Sequence, residues 1–290
     1  MFYTEVFVGN KIYSEVDGRI DGIKVSTGDY FSSKIGVIRF VPPGMFQRDD
    51  AITNISKVSA FHMSEKTITH EQYCDIAGVT QQNASVGNPV LNVSWYDALV
   101  FCNLLSIEEG FEPVFSINGK TGPSHWGIVP NGPDGSWDSV AVDWSADGYR
   151  LPTEMEWMWA AMGADEGYIG VTNAEGFSKS FAGSNGLNNI DDHAWYSGNS
   201  FLQVHPVGLK LPNELGLFDL SGNVWEWCWD WKDEFPVNVL SNYTGAVLGM
   251  YRVLRGGGWD SSRLTASVGY RRCYEPYYKF SNIGFRVVRQ

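Results

Sequence analysis

LGLFDLSGNVWEWCWDW, residues 215–231, is the stretch that decides the fold of this chain. After a Ser-Gly-Asn turn signal, tryptophans occupy every second position, which is the period of a β-strand with one buried face. A buried indole removes roughly 150–250 Å² from water and needs a partner for its N–H. The stretch therefore predicts a turn followed by a core strand, and we interpret its tryptophans as structural. They are Trp225, Trp227, Trp229 and Trp231.

The composition indicates an aromatic-rich domain with much irregular structure. Of 290 residues, 43% are hydrophobic, 14% are aromatic and only 19% are charged, and 32 are glycine. These proportions favour a loop-rich fold over a helical bundle. The net charge of −12 argues against nucleic-acid binding, which needs a basic footprint. No apolar run approaches the ~20 residues of a membrane span.

The cysteines lie too far apart in sequence to form a CxxC metal or redox motif. We interpret them as buried free thiols, while a disulfide between distant cysteines remains an open alternative. They are Cys74, Cys102, Cys228 and Cys273.

Three capping boxes predict three helices, because each places Asp, Glu or Gln three residues after a Ser or Thr. We expect helices over about residues 70–78, 95–110 and 154–163. The boxes are Thr69 with Gln72, Ser94 with Asp97, and Thr153 with Glu156.

Alternating apolar and polar residues between turn signals predict short antiparallel strands in residues 1–40. Residues 111–148 predict an irregular excursion with one hairpin. A further strand is expected near 252–255, and a single closing strand is expected near 283–289.

Five spaced motifs occur in order, and together they resemble the formylglycine-generating-enzyme (sulfatase-modifying factor) family over about residues 36–290. The resemblance implies an α+β domain with that family's C-type lectin-like fold, much irregular structure and termini that meet in a small sheet. We interpret residues 1–35 as a β-rich N-terminal extension packed on this domain. The motifs are Val93–Ala98 with Phe101 and Cys102, Tyr149–Glu154, Gly216–Trp227, Arg255–Gly257 and Gly284–Arg286.

The family's enzymes oxidise a substrate cysteine with two copper-binding cysteines that follow the Gly-Gly motif. Alignment on Arg255–Gly257 places Ser261 and Ala266 at those positions. Serine is a poor ligand for a soft metal, alanine cannot be one, and thiolate chemistry is absent. The five histidines are scattered and lack the facial-triad spacing of a related iron-dependent branch. We therefore expect no catalytic residues and no enzymatic activity.

The family's enzymes also bind structural calcium around the turn that is residues 219–224 here. Asp219 and the backbone carbonyls of Leu220, Gly222 and Val224 match those places, and calcium takes oxygen ligands of this kind. The resemblance thus implies no required cofactor but a structural calcium site. The alternative is that Asp219 serves only as a turn or cap residue.

Between Trp259 and Ile283 polar and aromatic residues interrupt the core pattern. This stretch resembles the variable region, about residues 255–289 here, of diversity-generating retroelement variable proteins, most closely the Treponema type. In that group Asn codons are rewritten in a way that never yields Lys, Glu, Gln, Met or Trp. We expect thirteen positions that lack those five types to contact the ligand. They are Asp260, Ser261, Ser262, Leu264, Thr265, Arg272, Cys273, Tyr274, Tyr277, Tyr278, Phe280, Ser281 and Asn282.

The resemblance implies a non-enzymatic protein whose diversified C-terminal surface binds an unknown protein or glycan ligand. Tyr, Ser, Asn and Arg on irregular loops suit an adaptable binding surface. Residues 252–290 hold eight basic and two acidic residues, and Arg271 and Arg272 favour an acidic partner unless they form a solvated face. For Tyr270 and Phe280, packing in the core is an equal alternative.

Two other functions stay open at this stage. One is a formylglycine-generating or related oxidoreductase acting in the same cleft, although no nucleophile–base–orienter set is recognisable. The other is a calcium-dependent lectin, although the Glu-Pro-Asn or Gln-Pro-Asp sugar signature is missing.

The beginning of the chain, MFYTEVFVGNK, lacks the basic n-region and small-residue cleavage site of a signal peptide. The sequence fits either a cytosolic protein or one whose export segment has been removed. The resemblance to variable proteins implies display at the cell surface or outside the cell, as a lipoprotein with its leader removed. We expect a monomer.

Overall fold

The computed structural model describes residues 28–80, 86–164 and 170–290, together with the backbone of four short strands between residues 4 and 24. The architecture is α+β, with short elements joined by long irregular segments, as predicted. The α-helices are α1 (His70–Ala77), α2 (Trp95–Glu109), α3 (Gly135–Asp138) and α4 (Glu154–Ala161). The strands are β1 (Thr4–Val8), β2 (Lys11–Glu15), β3 (Arg19–Ile20), β4 (Ile23–Lys24), β5 (Tyr30–Ser32), β6 (Gly36–Val41), β7 (Gly44–Gln47), β8 (Ile55–Val58), β9 (Phe61–Ser64), β10 (Phe115–Ser116), β11 (Ala141–Val142), β12 (Thr172–Asn173), β13 (Trp225–Trp231), β14 (Leu240–Ser241), β15 (Arg252–Arg255), β16 (Arg272–Tyr274), β17 (Ile283–Gly284) and β18 (Val288–Arg289).

All three predicted capping boxes form, at the starts of α1, α2 and α4. In each, the Ser or Thr side chain accepts a hydrogen bond from the backbone three residues on, and the third residue's side chain accepts one in return. Helices α1 and α2 end at Gly78 and Gly110, whose φ values of 65° and 80° place them in the left-handed conformation. Glycine adopts this conformation without a Cβ penalty.

Strand β13, formed by the tryptophan stretch, lies inside a four-stranded sheet of order β16-β15-β13-β17. It runs antiparallel to β15 and parallel to β17. The expectation of a single buried face was wrong, since Glu226, Cys228 and Asp230 are buried as well as Trp225, Trp227 and Trp231, while Trp229 is half-buried. The physical reason is that the strand separates two cores: Trp225 and Trp227 pack into the core around α2, and Cys228 packs into the core around α4.

The expected single closing strand is two strands in different sheets. Strand β17 pairs with β13, whereas β18 pairs with β9 in a second sheet of order β18-β9-β6-β5. Between them Phe285 and Val287 are buried and their carbonyls accept backbone hydrogen bonds from Ile68 and Ser64. The second sheet brings the C-terminal strand beside strands from near the start of the chain, as the resemblance implied. A third sheet has the order β12-β7-β8-β14.

The hairpins predicted in residues 1–40 and 111–148 are present as antiparallel pairs. Strands β1 and β2, β3 and β4, and β5 and β6 pair in the first region, and β10 pairs with β11 in the second. How the side chains of residues 1–27 pack on the domain, the subject of the predicted N-terminal extension, lies outside the described residues.

A fully buried ion pair joins the tryptophan strand to the Gly-Phe-Arg motif. Both Glu226 and Arg286 have side chains with no exposed area, and two hydrogen bonds of 2.7 and 2.8 Å connect them. The indole N–H of Trp157 and the hydroxyl of Thr67 donate to the same carboxylate. Because every carboxylate oxygen has partners, the buried charge is compensated.

All four cysteines lie in the described ranges and are free thiols. Cys102 and Cys228 are buried, and burial raises the pKa of each thiol above its ordinary value. Cys74 and Cys273 are half-buried, so the expectation of buried thiols holds for two of the four. Among the described residues, no helix combines the length and hydrophobicity that a membrane crossing requires.

Candidate functional site

The segment between Trp259 and Ile283 leaves the central sheet and returns to it. It starts after β15, forms β16 at the edge of the same sheet, and ends in β17 beside β13. Antiparallel pairing of β15 with β16 aligns Arg252 with Tyr274 and Leu254 with Arg272. The segment is therefore anchored to the sheet at its middle and at both ends. We refer to residues 260–282 as the candidate surface.

Twelve of the thirteen expected contact residues keep some exposed area, and they share the candidate surface with buried residues. Ala266, Val268 and Pro276 alternate with them and are buried. Those exposed are Asp260, Ser262, Leu264, Tyr278 and Ser281. Those half-buried are Thr265, Arg272, Cys273, Tyr274, Tyr277, Phe280 and Asn282.

Ser261 is the expected contact residue that does not face solvent. Its side chain is buried, with a relative exposure of 6%. Its hydroxyl accepts a hydrogen bond of 2.8 Å from the backbone N–H of Gly258, and its carbonyl accepts one from Ser197. The serine thus closes a local turn.

Four aromatic rings form a contiguous shelf on the candidate surface. Neighbouring ring centroids lie 4.7–6.1 Å apart, and the Tyr277–Tyr278 and Tyr278–Phe280 pairs are stacked. Tyr274, Tyr277 and Phe280 rest against the core around α2, while Tyr278 is 39% exposed. These four residues, Tyr274, Tyr277, Tyr278 and Phe280, are called the aromatic shelf. Three of its rings pack on the core, and the fourth is exposed to solvent.

The two residues for which core packing was an equal alternative differ from each other. Tyr270 is 41% exposed, and its ring lies 5.9 Å from that of Trp225. Phe280 is half-buried and packs against the core.

Four of the eight basic residues of the C-terminal segment are neutralised by carboxylates from other elements. Glu154 binds Arg255 and Arg271, Glu226 binds Arg286, and Asp97 binds Lys279 at 2.7 Å. Arg271 is consequently not available to attract an acidic partner, contrary to the sequence interpretation. Arg272 has no carboxylate partner among the residues that the structure describes.

Glu154 occupies the centre of a buried charge cluster that sequence reasoning missed. Burial alone would raise the pKa of its carboxyl, but the guanidinium groups of Arg255 and Arg271 outweigh burial and lower the pKa. Asp230 lies alongside and accepts the Glu154 backbone N–H at 2.7 Å. Burial and the Glu154 charge hold the pKa of Asp230 well above its ordinary value. The partners lie 76 to 117 residues from Glu154, so no local signal in the sequence could have revealed them.

The positions at which the family's catalytic cysteines were expected, Ser261 and Ala266, are both buried. The Ala266 carbonyl accepts a hydrogen bond from the hydroxyl of Ser221 at 2.8 Å. Within the described ranges, no three His, Cys, Asp or Glu side chains cluster as metal ligands.

The turn of residues 219–224 contains a buried carboxylate with one unsatisfied oxygen. Asp219 has a left-handed φ of 55°, and its Oδ2 accepts the Gly208 backbone N–H at 2.7 Å. Its Oδ1 is buried and has no hydrogen-bond partner among the described residues. Burial raises the pKa of this carboxyl to about 6. Leu220, Gly222 and Val224, the other expected calcium ligands, are buried in the same turn.

Comparison with known proteins agrees with this geometry. The chain is 34% identical over 258 residues to a protein named chaperone protein LppX from Paenibacillus barcinonensis, covering 80% of this chain and 81% of that one. It is 34% identical over 161 residues to the formylglycine-generating enzyme of Streptomyces coelicolor, covering 52% of this chain. It spans only 50% of that enzyme's length.

A solved structure and a family model confirm the predicted resemblance. The structure of Treponema denticola variable protein 1 is similar with a TM-score of 0.76 and 31% identity, covering 87% of this chain and 94% of that one. Residues 35–290 match the family model described as the sulfatase-modifying factor enzyme 1-like domain. The chain therefore belongs to the sulfatase-modifying factor enzyme 1-like domain family, with a fold similar to that of a variable protein.

Proposed function

We propose that the chain is a non-enzymatic ligand-binding protein whose candidate surface binds a protein or glycan ligand. The observation that carries this proposal is the contrast between buried and exposed side chains within residues 260–282. Ala266, Val268 and Pro276 are buried, whereas twelve of the thirteen expected contact residues around them keep some exposed area. Side chains that face solvent can change without loss of folding, while buried ones cannot.

The anchoring of the segment supports a binding role. Pairing of β15 with β16 and the hydrogen bonds from Arg271 to Glu154 fix its backbone on the sheet and on α4. A surface held in its bound conformation loses less entropy on binding. The similarity to Treponema denticola variable protein 1 over 94% of that chain supports the same interpretation.

Flanking DNA provides a direct test of diversification at this surface. The proposal expects a near-identical repeat of the segment's coding sequence downstream of the gene, with adenines at the differing positions and a reverse-transcriptase gene beside it. Differences confined to codons of the buried residues would contradict it.

The rival function is formylglycine generation, and it requires different chemistry at the same cleft. Ser261 and Ala266 stand where the resemblance places thiolate ligands for copper, which supports a non-enzyme. The test is to supply copper and a cysteine-containing peptide and to follow oxygen consumption together with peptide mass. Conversion of the peptide cysteine to formylglycine would establish the rival function.

We also propose that the turn of residues 219–224 binds a structural calcium ion. The support is the buried, partnerless Oδ1 of Asp219, because calcium takes carboxylate and carbonyl oxygens. Asp219 and the carbonyl oxygens of Leu220, Gly222 and Val224 would hold the ion. Its charge would stabilise the ionised carboxylate in this buried turn.

The resemblance to variable proteins further supports display of the chain, as a monomer, at the cell surface or outside the cell. A lipoprotein leader would supply the anchor. Metabolic labelling of the protein with a tagged fatty acid in its native host tests this location, and an unlabelled protein that stays inside the cell would contradict it.

A further inference from the structure

The guanidinium of Arg272 lies between two aromatic rings and pairs with no carboxylate of the described residues. Its Cζ lies 5.4 Å from the centroid of Trp225 and 4.9 Å from that of Tyr274. It donates one hydrogen bond, to the Tyr274 hydroxyl, out of the five N–H donors that an arginine carries. The other donors have no carboxylate partner within the described part of the chain, and the residue is half-buried. The guanidinium is thus pre-oriented and its charge is available.

A second unused donor lies next to this guanidinium. The indole Nε1 of Trp225 is buried and has no hydrogen-bond partner among the described residues, although the residue is only 1% exposed. A buried N–H without a partner costs about 1–3 kcal/mol, so it gains from any acceptor that reaches it. By contrast, the indoles of Trp95, Trp157 and Trp227 all donate to protein oxygens.

The Cδ1 atom of Trp225, which adjoins its indole nitrogen, lies close to residues at both ends of the candidate surface. A Cβ on Gly258 would lie 3.2 Å from Cδ1 of Trp225, 3.1 Å from Oδ1 of Asp260 and 3.3 Å from the carbonyl oxygen of Asn282. Both oxygens of Asp260 accept hydrogen bonds from the Asn282 side-chain amide. The carboxylate of Asp260 is thereby held by a neutral donor and does not pair with Arg272.

An apolar ledge, Leu248, Met250 and Tyr251, directly precedes the strand that pairs with β16. Tyr251 directly precedes β15, whose first residue, Arg252, aligns with Tyr274 of the shelf. Leu248 and Met250, just before it, are 84% and 65% exposed. Exposed apolar groups of this kind are typical of protein–protein contacts. This ledge favours a protein over a glycan as the ligand.

On the basis of the ligand-binding function proposed above, we infer that the candidate surface contains a carboxylate-binding subsite. In it Arg272 and the indole N–H of Trp225 hold an acidic side chain of a protein ligand, and neighbouring apolar groups of that ligand pack on the aromatic shelf and ledge. The planar fork of arginine matches a carboxylate with two parallel hydrogen bonds. The chain carries a net charge of −12, so recognition of an acidic ligand depends on a local cation such as Arg272.

The test uses a fluorescein-labelled random copolymer of glutamate and tyrosine as the probe, with binding followed by fluorescence anisotropy. Labelled polyglutamate and polygalacturonate serve as the apolar-free and glycan comparisons. The full chain is expected to bind the copolymer more tightly than either. Arg272→Gln should weaken binding at least tenfold. Arg263→Gln, which removes the same charge from an exposed arginine of the same segment, should change it less than twofold.

A spectroscopic readout separates ligand contact from a structural role. The ¹⁵N-indole resonance of Trp225, assigned from Trp225→Phe, should move downfield when the copolymer binds to the native chain and stay in place in Arg272→Gln. Unchanged copolymer binding in Arg272→Gln, a stationary resonance, or failure to bind any carboxylate probe would each overturn the inference. Tighter binding of polygalacturonate, lost in Arg272→Gln, would assign the subsite to an acidic glycan and overturn the protein ligand.

The double substitution Tyr277→Ser with Tyr278→Ser distinguishes the subsite from the surface. If it abolishes copolymer binding while Arg272→Gln binds normally, the subsite fails and the binding surface stands. If the copolymer binds equally to the native chain and to both variants, the binding does not involve this surface, and the surface fails with the subsite.

Discussion

The carboxylate of Glu154 accepts two hydrogen bonds of 2.6 Å from Arg271, which lies 117 residues further along the chain. Glu154 is the first residue of α4, and Arg271 directly precedes β16 in the candidate surface. The same carboxylate also binds the fully buried Arg255 of β15. One acidic residue therefore fixes the position of the candidate surface relative to both the helix and the sheet.

Substitution of Glu154 should be severely destabilising. Glu154→Gln leaves two guanidinium groups without their counter-charge, and breaking a buried pair costs about 3–5 kcal/mol. We expect a loss of that size in the free energy of unfolding at pH 7, measured with urea. Glu108→Gln, at an exposed carboxylate that bridges Lys34, should cost less than about 1 kcal/mol. Equal losses in the two variants would contradict this role for Glu154.

The contribution of Glu154 should depend on pH. Its folded-state pKa lies below its ordinary value of 4.5, so its stabilising effect is complete above about pH 4.5. The effect disappears as the pH falls through the lower, folded-state value. The difference in unfolding free energy between the native chain and Glu154→Gln should therefore be present at pH 6 and shrink as the pH falls below 4.5. A difference that grows in acid would contradict the lowered pKa.

Asp230 should show the opposite sign. Because its folded-state pKa is raised well above 3.8, its carboxyl destabilises the fold increasingly as the pH rises through that range. Asp230→Asn keeps an oxygen that can accept the Glu154 backbone N–H and removes the buried charge. We expect the stability of the variant relative to the native chain to increase as the pH rises above 3.8. Chemical denaturation at several pH values checks this, and a variant that loses stability uniformly would refute it.

Calcium should stabilise the chain through Asp219. A ligand that binds only the folded state adds about 2.7 kcal/mol at one hundred times its dissociation constant. The melting temperature of EDTA-treated protein should rise with added calcium, rise less with magnesium, and be insensitive to calcium in Asp219→Asn. Identical melts of the native chain with calcium and with EDTA would exclude the site.

Buried and exposed positions of the candidate surface should respond differently to substitution. Val268→Ala removes two methyl groups from a fully buried side chain and should cost about 2 kcal/mol. Leu264→Ser, at a side chain that is 80% exposed, should change stability by less than about 0.5 kcal/mol. Urea denaturation of both variants gives the comparison. A larger loss in Leu264→Ser than in Val268→Ala would contradict the assignment of these positions.

Local chemistry made part of this architecture predictable. The helix starts follow from capping boxes, in which a residue such as Ser94 bonds to a neighbour three positions away, and such contacts are visible in sequence. The position of the tryptophan strand likewise follows from its period of two. The second face of this strand is buried because α4, from a distant part of the chain, packs against it. The alternation of tryptophans does not predict that contact.

In the candidate surface, too, the exposure of residues was predictable from the local sequence, whereas long-range contacts were not. Exposure of residues such as Tyr278 and Asp260 agrees with the polar and aromatic pattern of the segment. The burial of Ser261 depends on the geometry of one turn, which cannot be inferred from the residue type. The pairing of Arg271 with Glu154 joins positions 117 residues apart, so one of the two adjacent arginines that suggested a positive patch is neutralised internally.

The central claim is that residues 260–282 form a binding surface whose contacts can vary on a constant frame. The most direct test is a displayed library in which the twelve expected contact positions other than Ser261 are randomised, with folding and binding measured together. The account predicts that a substantial share of members retains a cooperative melt. It also predicts that selection against an unrelated protein yields binders changed only at those positions. A library that is largely unfolded, or folded but without binders, would contradict the claim.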